Sequence, residues 1–432
     1  MKRTITAAAI ALAAVAGPAG AAEFDFGVEA GVGHSDNIRR VPAAEESETI
    51  LTAGLDLAFL REEGRLHADV SVDLTYFDYQ DNTYDGEVTG IANADLRFLF
   101  VPGRFEWMLA DSFGQSQIDP FAAVTPDNRE NVNYFTTGPD LTIRLGSAAN
   151  LVLFGRWSAS QFEESNFDDE RLLAGLSLGR SLSQRSNVSL NVTSETVEFD
   201  DPAFGRDFER RSAFLRYEIE GARTRLGAEA GYTEVEFDTP LPFAVNSTSS
   251  PLFEIDLERE LSERSTLTLL AGVRSSDAST ALRAGAPLPG LSPGLISTSD
   301  PFETRQVTLS WHFQAQRTDF MLSAGWEEDV YETLGLLDRE RQMYRASASR
   351  RLTPRLTLRA EASLFSSDFS SASQEDDETQ YGLSLSWNAA GRLWIELEAQ
   401  HFNRDSTNAA SDFDETRAFL RFAWRRSSNT GG

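Results

Sequence analysis

The chain of 432 residues has no cysteine. That excludes disulfide staples, thiol catalysis, thiolate metal sites and a lipidated cysteine anchor. Lysine is nearly as scarce. Lys2 is the only one, so every later cationic side chain apart from histidine is arginine. Basic charge is outnumbered, with 39 Lys and Arg against 67 Asp and Glu and a formal net charge of −28. A nucleic-acid partner is therefore not expected, because its phosphates would be repelled. Only four histidines occur, His34, His67, His312 and His401, and none forms a close-spaced ligand pair. No phosphate-cradling glycine loop or dinucleotide fingerprint is present. Past the first residues, no stretch approaches the roughly 20 apolar residues that a membrane helix needs. The reading is of no catalytic residue, no cofactor and no metal site, hence not an enzyme. The set Gly33-His34-Ser35-Asp36-Asn37 holds residue types of acyl transfer. Neighbours in an extended chain cannot converge as nucleophile, base and orienter, which leaves a barrel hydrolase only a remote alternative.

What is present is apolar and aromatic. Hydrophobic residues make up 41% and aromatics 10% of the chain, too many for a disordered polymer. Lys2 and Arg3, the apolar run Thr4 to Val15 and the small residues Ala19-Gly20-Ala21 read as an export signal over 1–22, with the mature start at Ala22 or Glu23. The remainder shows no linker or composition shift. It reads as one domain over 23–425, followed by a short tail, 426–432.

Alternation is the main signal. In Arg65–Tyr76, Leu66, Ala68, Val70, Val72, Leu74 and Tyr76 are apolar, with His67, Asp69, Ser71, Asp73 and Thr75 between them. Arg355–Phe365 and Phe253–Glu258 repeat the pattern. Successive strand side chains point to opposite faces, so each run has an oily and a charged face. The runs are about 10 to 13 residues, longer than the usual soluble strand and matched to a tilted bilayer crossing. Aromatics recur near run ends on the oily parity, among them Tyr76, Phe98, Trp107, Trp157, Tyr232, Trp326, Trp387 and Trp424, as in interfacial girdles. A soluble sandwich would also alternate, but it would not need such lengths or girdles.

Two kinds of connection alternate along the chain. Short Arg-, Gly- or Ser-bearing turns fall near 62, 102, 148, 184, 222, 262, 316, 353 and 390. Longer loops fall near 34–48, 78–87, 118–133, 163–170, 200–208, 237–250, 277–301, 332–340, 370–378 and 405–413. The fold class is thus all-β, a transmembrane antiparallel up-and-down β-barrel of about 20 strands, with 18 as the fallback. The weakest strands are the first and the one entering at Tyr134, where Pro139 cannot donate to a ladder. Short turns belong in the periplasm, which puts both termini there and the protein in the Gram-negative outer membrane. Outer-membrane lipid and the outer-membrane insertion machinery follow as partners. The run Glu415–Trp424, with Ala418, Leu420, Phe422 and Trp424 on one parity, resembles the terminal strand that this machinery reads.

Charge follows the connections. The turns carry arginines such as Arg61, Arg104, Arg264, Arg355 and Arg392. The long loops carry acids such as Asp81, Glu164, Asp168, Asp201, Glu327–Asp329 and Glu375–Asp377. That places an acidic rim outside, a solvated edge that also suits divalent cations held against anionic surface glycolipid. The loop 277–301 differs, being long and poor in charge. Leu282, Leu288, Leu291, Leu295 and Ile296 would be costly to expose together, which makes it the candidate constriction at the mouth. On the lumen parity lie Asp69, Asp73, Asp95, Arg97, Glu106, Arg144, Arg156, Arg216, Glu254, Asp256, Glu258, Arg274, Arg359, Glu361, Glu396 and Glu398. They would line a wet interior whose acidic excess favours small cations.

The stretch Phe26-Gly27-Val28-Glu29-Ala30-Gly31-Val32-Gly33-His34-Ser35-Asp36-Asn37-Ile38, after a signal, resembles the start of outer-membrane β-barrel, porin-like proteins associated with exopolysaccharide and exosortase systems. Residue-level likeness covers Gly31 to Arg39. The resemblance implies a porin-like channel, for exopolysaccharide export or for small-solute diffusion, with polysaccharide as a further partner and no catalytic residues carried over. The alternative is a non-conducting scaffold barrel of a surface polysaccharide assembly system.

Overall fold

The computed structural model describes residues 22–238, 245–283 and 295–426. The expected signal residues up to Ala21 and the tail beyond Arg426 lie outside them. The strands are β1 (Glu23–Ser35), β2 (Glu48–Arg61), β3 (Leu66–Tyr79), β4 (Glu87–Val101) and β5 (Phe105–Gln117). Next come β6 (Arg129–Arg144), β7 (Ala149–Phe162), β8 (Asp169–Ser183), β9 (Ser186–Phe199) and β10 (Phe208–Glu220). Then follow β11 (Thr224–Phe237), β12 (Ser247–Ser262), β13 (Ser265–Ser276), β14 (Phe302–Gln314) and β15 (Thr318–Tyr331). The last are β16 (Arg339–Thr353), β17 (Leu356–Phe369), β18 (Gln374–Ala390), β19 (Leu393–Ser406) and β20 (Phe413–Arg426).

These form one 20-stranded sheet. Each strand pairs antiparallel with its neighbours in sequence, and β1 pairs with β20 from Phe26↔Arg426 to Ser35↔Arg417. The barrel is closed and up-and-down, as alternation implied. Closure leaves no edge with unpaired amides, which the hydrocarbon core of a membrane requires. β1 starts and β20 ends at the short-turn end of the cylinder.

The short turns use residues that accept a left-handed backbone. Gly103 (φ 67) turns β4 into β5, and Gly391 (φ 58) turns β18 into β19. Pro139 lies within β6. The β6–β7 register steps from Thr137↔Trp157 to Asp140↔Phe154, skipping it. Arg156 covers the break: its Nη1 donates to the Pro139 carbonyl at 3.0 Å and its Nη2 to Asp140 at 2.6 Å.

The oily parity faces outward. Leu172 is 65% exposed, Tyr232 53% and Trp387 46%, and Phe98, Trp107 and Trp157 are exposed as well. So many bare apolar side chains suit lipid and not water. Apart from one apolar cluster on the outer face near the short turns (Phe59, Ala68, Val70, Ala94 and Leu96), most buried clusters lie at the long-loop end.

One expectation is corrected. Glu327–Asp329 and Glu375–Asp377 are not in loops but in β15 and β18. Asp329 and Asp376 are buried and ion-paired to Arg339 at 2.8 Å and Arg404 at 2.7 Å. Backbone pairing needs no apolar side chains, so the ladders continue past the apolar belt and shorten the loops. The outer acidity is accordingly less of a rim than the sequence suggested.

Candidate constriction at the barrel mouth

Three long connections fold into the loop-side end of the cylinder: 36–47, 118–128 and the described parts of the third, 277–283 and 295–301. Their contacts reach strands spread around the whole ring, which only an element inside it can do.

The third connection begins at Asp277, at the end of β13, and continues as a short helix α1 (Ala278–Arg283). Asp277 is clasped by two arginines from the wall. Arg171 of β8 meets it at 2.8 Å and Arg210 of β10 at 2.7 Å. The backbone N–H and the hydroxyl of Thr280 donate to the same carboxylate at 3.0 and 2.8 Å. Burial alone would raise this carboxyl, but Arg171 and Arg210 outweigh it and hold it well below the usual carboxylate range. The arginines are themselves satisfied by wall acids, Arg171 by Asp169 at 2.6 Å and Arg210 by Glu195 at 3.0 Å. A buried charge group is tolerated only when so fully paired.

Apolar packing completes the seat. Leu282 and Leu295 are buried with Val132, Tyr134 and Phe162 of β6 and β7. Ile296 is buried with Phe302, Tyr331 and Phe369, on the β14, β15 and β17 side of the ring. Leu288 and Leu291, the remaining candidates of this loop, lie outside the described residues. The returning chain pairs with β5: Gln117 donates its N–H to the Leu295 carbonyl at 3.0 Å, and Ser297 donates back to Gln117 at 2.8 Å. Ser297 Oγ also donates to Glu130 at 2.6 Å.

The second connection is gripped through its backbone. Arg404 Nη1 donates to the Ala122 carbonyl at 2.8 Å, and Gln374 and Ser411 donate to that of Phe121 at 2.9 and 3.0 Å. The Phe121 ring stands edge-on to Phe369, 5.1 Å between centroids. The first connection carries Arg40, buried between the rings of Phe402 and Phe413 at 4.9 and 5.0 Å. It pairs with Glu415 at 2.9 Å and donates to the Val124 carbonyl at 2.7 Å, joining the first connection to the second.

The motif after the first strand has a structural account here. Ser35 Oγ donates to Glu415 at 2.5 Å, and the Asn37 amide donates to the carbonyls of Val41 and Asp414. Thr416 donates to the Asp36 carboxylate at 2.7 Å, and Ile38 is fully buried with Ile50, Tyr79 and Phe419. These residues fasten the first loop to the closing strand. Among the described residues, no group of three or more His, Asp or Glu converges as a metal set.

The lumen candidates share the strand parity of residues buried in the interior, some of which pack on the connections. Asp69 and Asp73 share it with Tyr79, Asp95 and Arg97 with Glu87, and Arg156 with Ser158. Glu361 and Arg359 share it with Phe365, and Glu396 and Glu398 with Phe402. Several are paired: Arg216 with Glu218 at 2.7 Å and Glu229 at 2.6 Å, Arg359 with Glu361 at 3.5 Å, Glu258 with Arg225 at 3.5 Å, and Glu398 with Arg421. Like charges face one another elsewhere, Asp69 across from Asp95 and Asp56 across from Asp73. Glu106, Arg144, Glu254, Asp256 and Arg274 complete the set on β5, β6, β12 and β13. The sequence reading missed the wall arginines that do the fastening, Arg171, Arg210 and Arg404. A usable signal was there, since each stands on the lumen parity within a few residues of a long connection.

A closed β-barrel with a lipid-type exterior, charged interior parity and in-folded loops defines a porin-like barrel of the outer-membrane type. In agreement, residues 305–426 match the family model described as "Putative beta-barrel porin 2". No curated protein matches the chain. Among solved structures, the apoprotein form of the FrpB iron transporter from Neisseria meningitidis is 11% identical. That match covers 93% of this chain and 81% of that one, with a TM-score of 0.46. OccK2 (OpdF) from Pseudomonas aeruginosa is 11% identical over 94% of this chain and 98% of that one, with a TM-score of 0.39. A mutant of the ferric enterobactin receptor PfeA from Pseudomonas aeruginosa is 10% identical over 95% and 81%, with a TM-score of 0.48. At these values the likenesses carry nothing about cargo.

Proposed function

We propose that the protein is an outer-membrane channel for small hydrophilic solutes whose mouth is narrowed by the connections 36–47 and 118–128 and by the described ends of the third, 277–283 and 295–301. The short-turn end, with both chain termini, faces the periplasm, and the long connections face outward. The observation that carries this reading is the contrast between the two ends. The loop-side interior is packed with buried side chains such as Ile38, Leu282 and Ile296, whereas lumen-parity residues nearer the short turns, such as Asp69 and Glu258, are exposed. A 20-stranded cylinder is wide enough to hold water once side chains are accommodated. The charged parity keeps it wet, and its acidic excess gives a weak preference for cations. Outer-membrane lipid, surface glycolipid and the outer-membrane insertion machinery are the partners this reading implies. Export of an exopolysaccharide would require the three connections to leave the mouth, so under that cargo the barrel is a gated exit.

The density of the same packing favours a second reading, a non-conducting scaffold barrel of a polysaccharide assembly system. Liposome swelling separates the two. Proteoliposomes holding the mature protein should swell in small sugars, more slowly than with an open porin. No swelling with either the intact protein or a variant lacking 281–296 means a scaffold.

A further inference from the structure

Directly beneath α1, on its short-turn side, lies a cavity of about 220 Å³. Its chemistry departs from that of the chain. The whole protein carries −28, yet this cavity is lined by Arg156, Arg210 and Arg283 against a single acid, Glu195. Glu195 is already bound to Arg210 at 3.0 Å. Arg210 is more than nine-tenths buried, and its Nε–H has no hydrogen-bond partner among the described residues. That atom is enclosed by protein, so a ligand in the cavity reaches Arg210 only through the guanidinium nitrogens that Glu195 and Asp277 now hold. Hydroxyls of Tyr134, Thr136, Ser158, Thr193 and Thr280 share the lining. Such groups both donate and accept, as a polyol requires. An engineered cavity of about 150 Å³ holds benzene, so this one has room for a six-carbon solute.

We propose that this cavity binds a small hydroxylated carboxylate, a sugar acid or hydroxy acid, and that its carboxylate competes with Asp277 for Arg210. Arg283, exposed at the end of α1, supplies the second cation. Arg210 and Thr280 belong to both the cavity and the clasp on Asp277. A ligand that draws Arg210 toward itself weakens the clasp, and with it the seat of the loop that narrows the mouth. By linkage, weakening the clasp must in turn favour the ligand. The site deepens the channel reading by naming a solute class, and it rests on that reading only for the consequence of opening.

Isothermal titration of the refolded mature protein in detergent tests it, with gluconate, sorbitol and acetate as probes. Gluconate should bind saturably, and sorbitol and acetate at least about tenfold more weakly, since each lacks one half of the recognised chemistry. Arg283→Gln should weaken gluconate by about tenfold and leave heat-modifiable gel migration unchanged, because this side chain is exposed and outside the ladder. Asp277→Asn should tighten gluconate. Absence of saturable gluconate binding, equal binding of sorbitol, or wild-type affinity in Arg283→Gln overturns the site. Unchanged or weaker affinity in a folded Asp277→Asn overturns the competition. Binding is read without a membrane, so a protein that binds gluconate but never conducts refutes the channel and not the site.

Discussion

The guanidinium of Arg40 meets the carboxylate of Glu415 at 2.9 Å, with both side chains buried, and so ties the first long connection to the last strand. Glu415 also accepts from Ser35 and Arg417. Removing one member of a buried pair leaves the other charge uncompensated, at a cost of about 3–5 kcal/mol. Glu415→Ala should therefore lower the temperature at which the compact gel species is lost, and expose 36–47 to protease. The paired replacement Arg40→Met with Glu415→Leu should restore only part of that loss, because Ser35 and Arg417 still lose their acceptor.

Asp277 predicts acid resistance of the clasp. Its folded value lies below the unfolded carboxylate value, near 3.9. A depressed acid contributes stability above the unfolded value and loses it only as pH falls through the folded one. Conductance should then be flat from neutral pH down to about 5 as far as this group is concerned. A protein that opens between those values is governed by another group.

The two faces of β8 should respond oppositely to charge. Leu178 is exposed on the lipid parity, and Ser177 stands on the parity of Arg171. Leu178→Arg should cost roughly 2–4 kcal/mol if the residue sits near the bilayer midplane. Ser177→Arg should leave stability nearly unchanged. Equal effects on urea-induced unfolding in lipid vesicles would contradict the assignment of faces.

Orientation is testable because the chain has no cysteine of its own. Asp85→Cys and Glu164→Cys, in long connections, should be labelled by an impermeant maleimide on intact cells. Arg104→Cys and Arg392→Cys, at short turns, should not. The reverse pattern would invert the barrel. Asp376, placed in a loop by the sequence, is a poor reporter, because it is 3% exposed beneath Arg404.

Strand count, closure and the two faces were legible in the sequence because each depends on period-two alternation, a local property. Even Pro139 did not break β6, since a side chain, Arg156, stands in at the interruption. Loop lengths were overestimated where the ladder runs on with polar residues, as at Glu327–Asp329. The mouth was half legible. The apolar content of Leu282, Leu295 and Ile296 pointed to an in-folded loop, but not to its seat. The seat depends on Arg171 and Arg210 meeting Asp277 across more than sixty residues of chain, and on Arg404 reaching Ala122. No periodicity encodes pairings at that distance.

Single-channel conductance in planar bilayers, comparing the mature protein with a variant lacking 281–296, tests the central claim most directly. The account predicts small openings with a weak cation preference for the intact protein, and a clear rise in unitary conductance for the deletion. Equal conductance in the two would contradict a constriction built from this loop, and silence in both would contradict the channel itself.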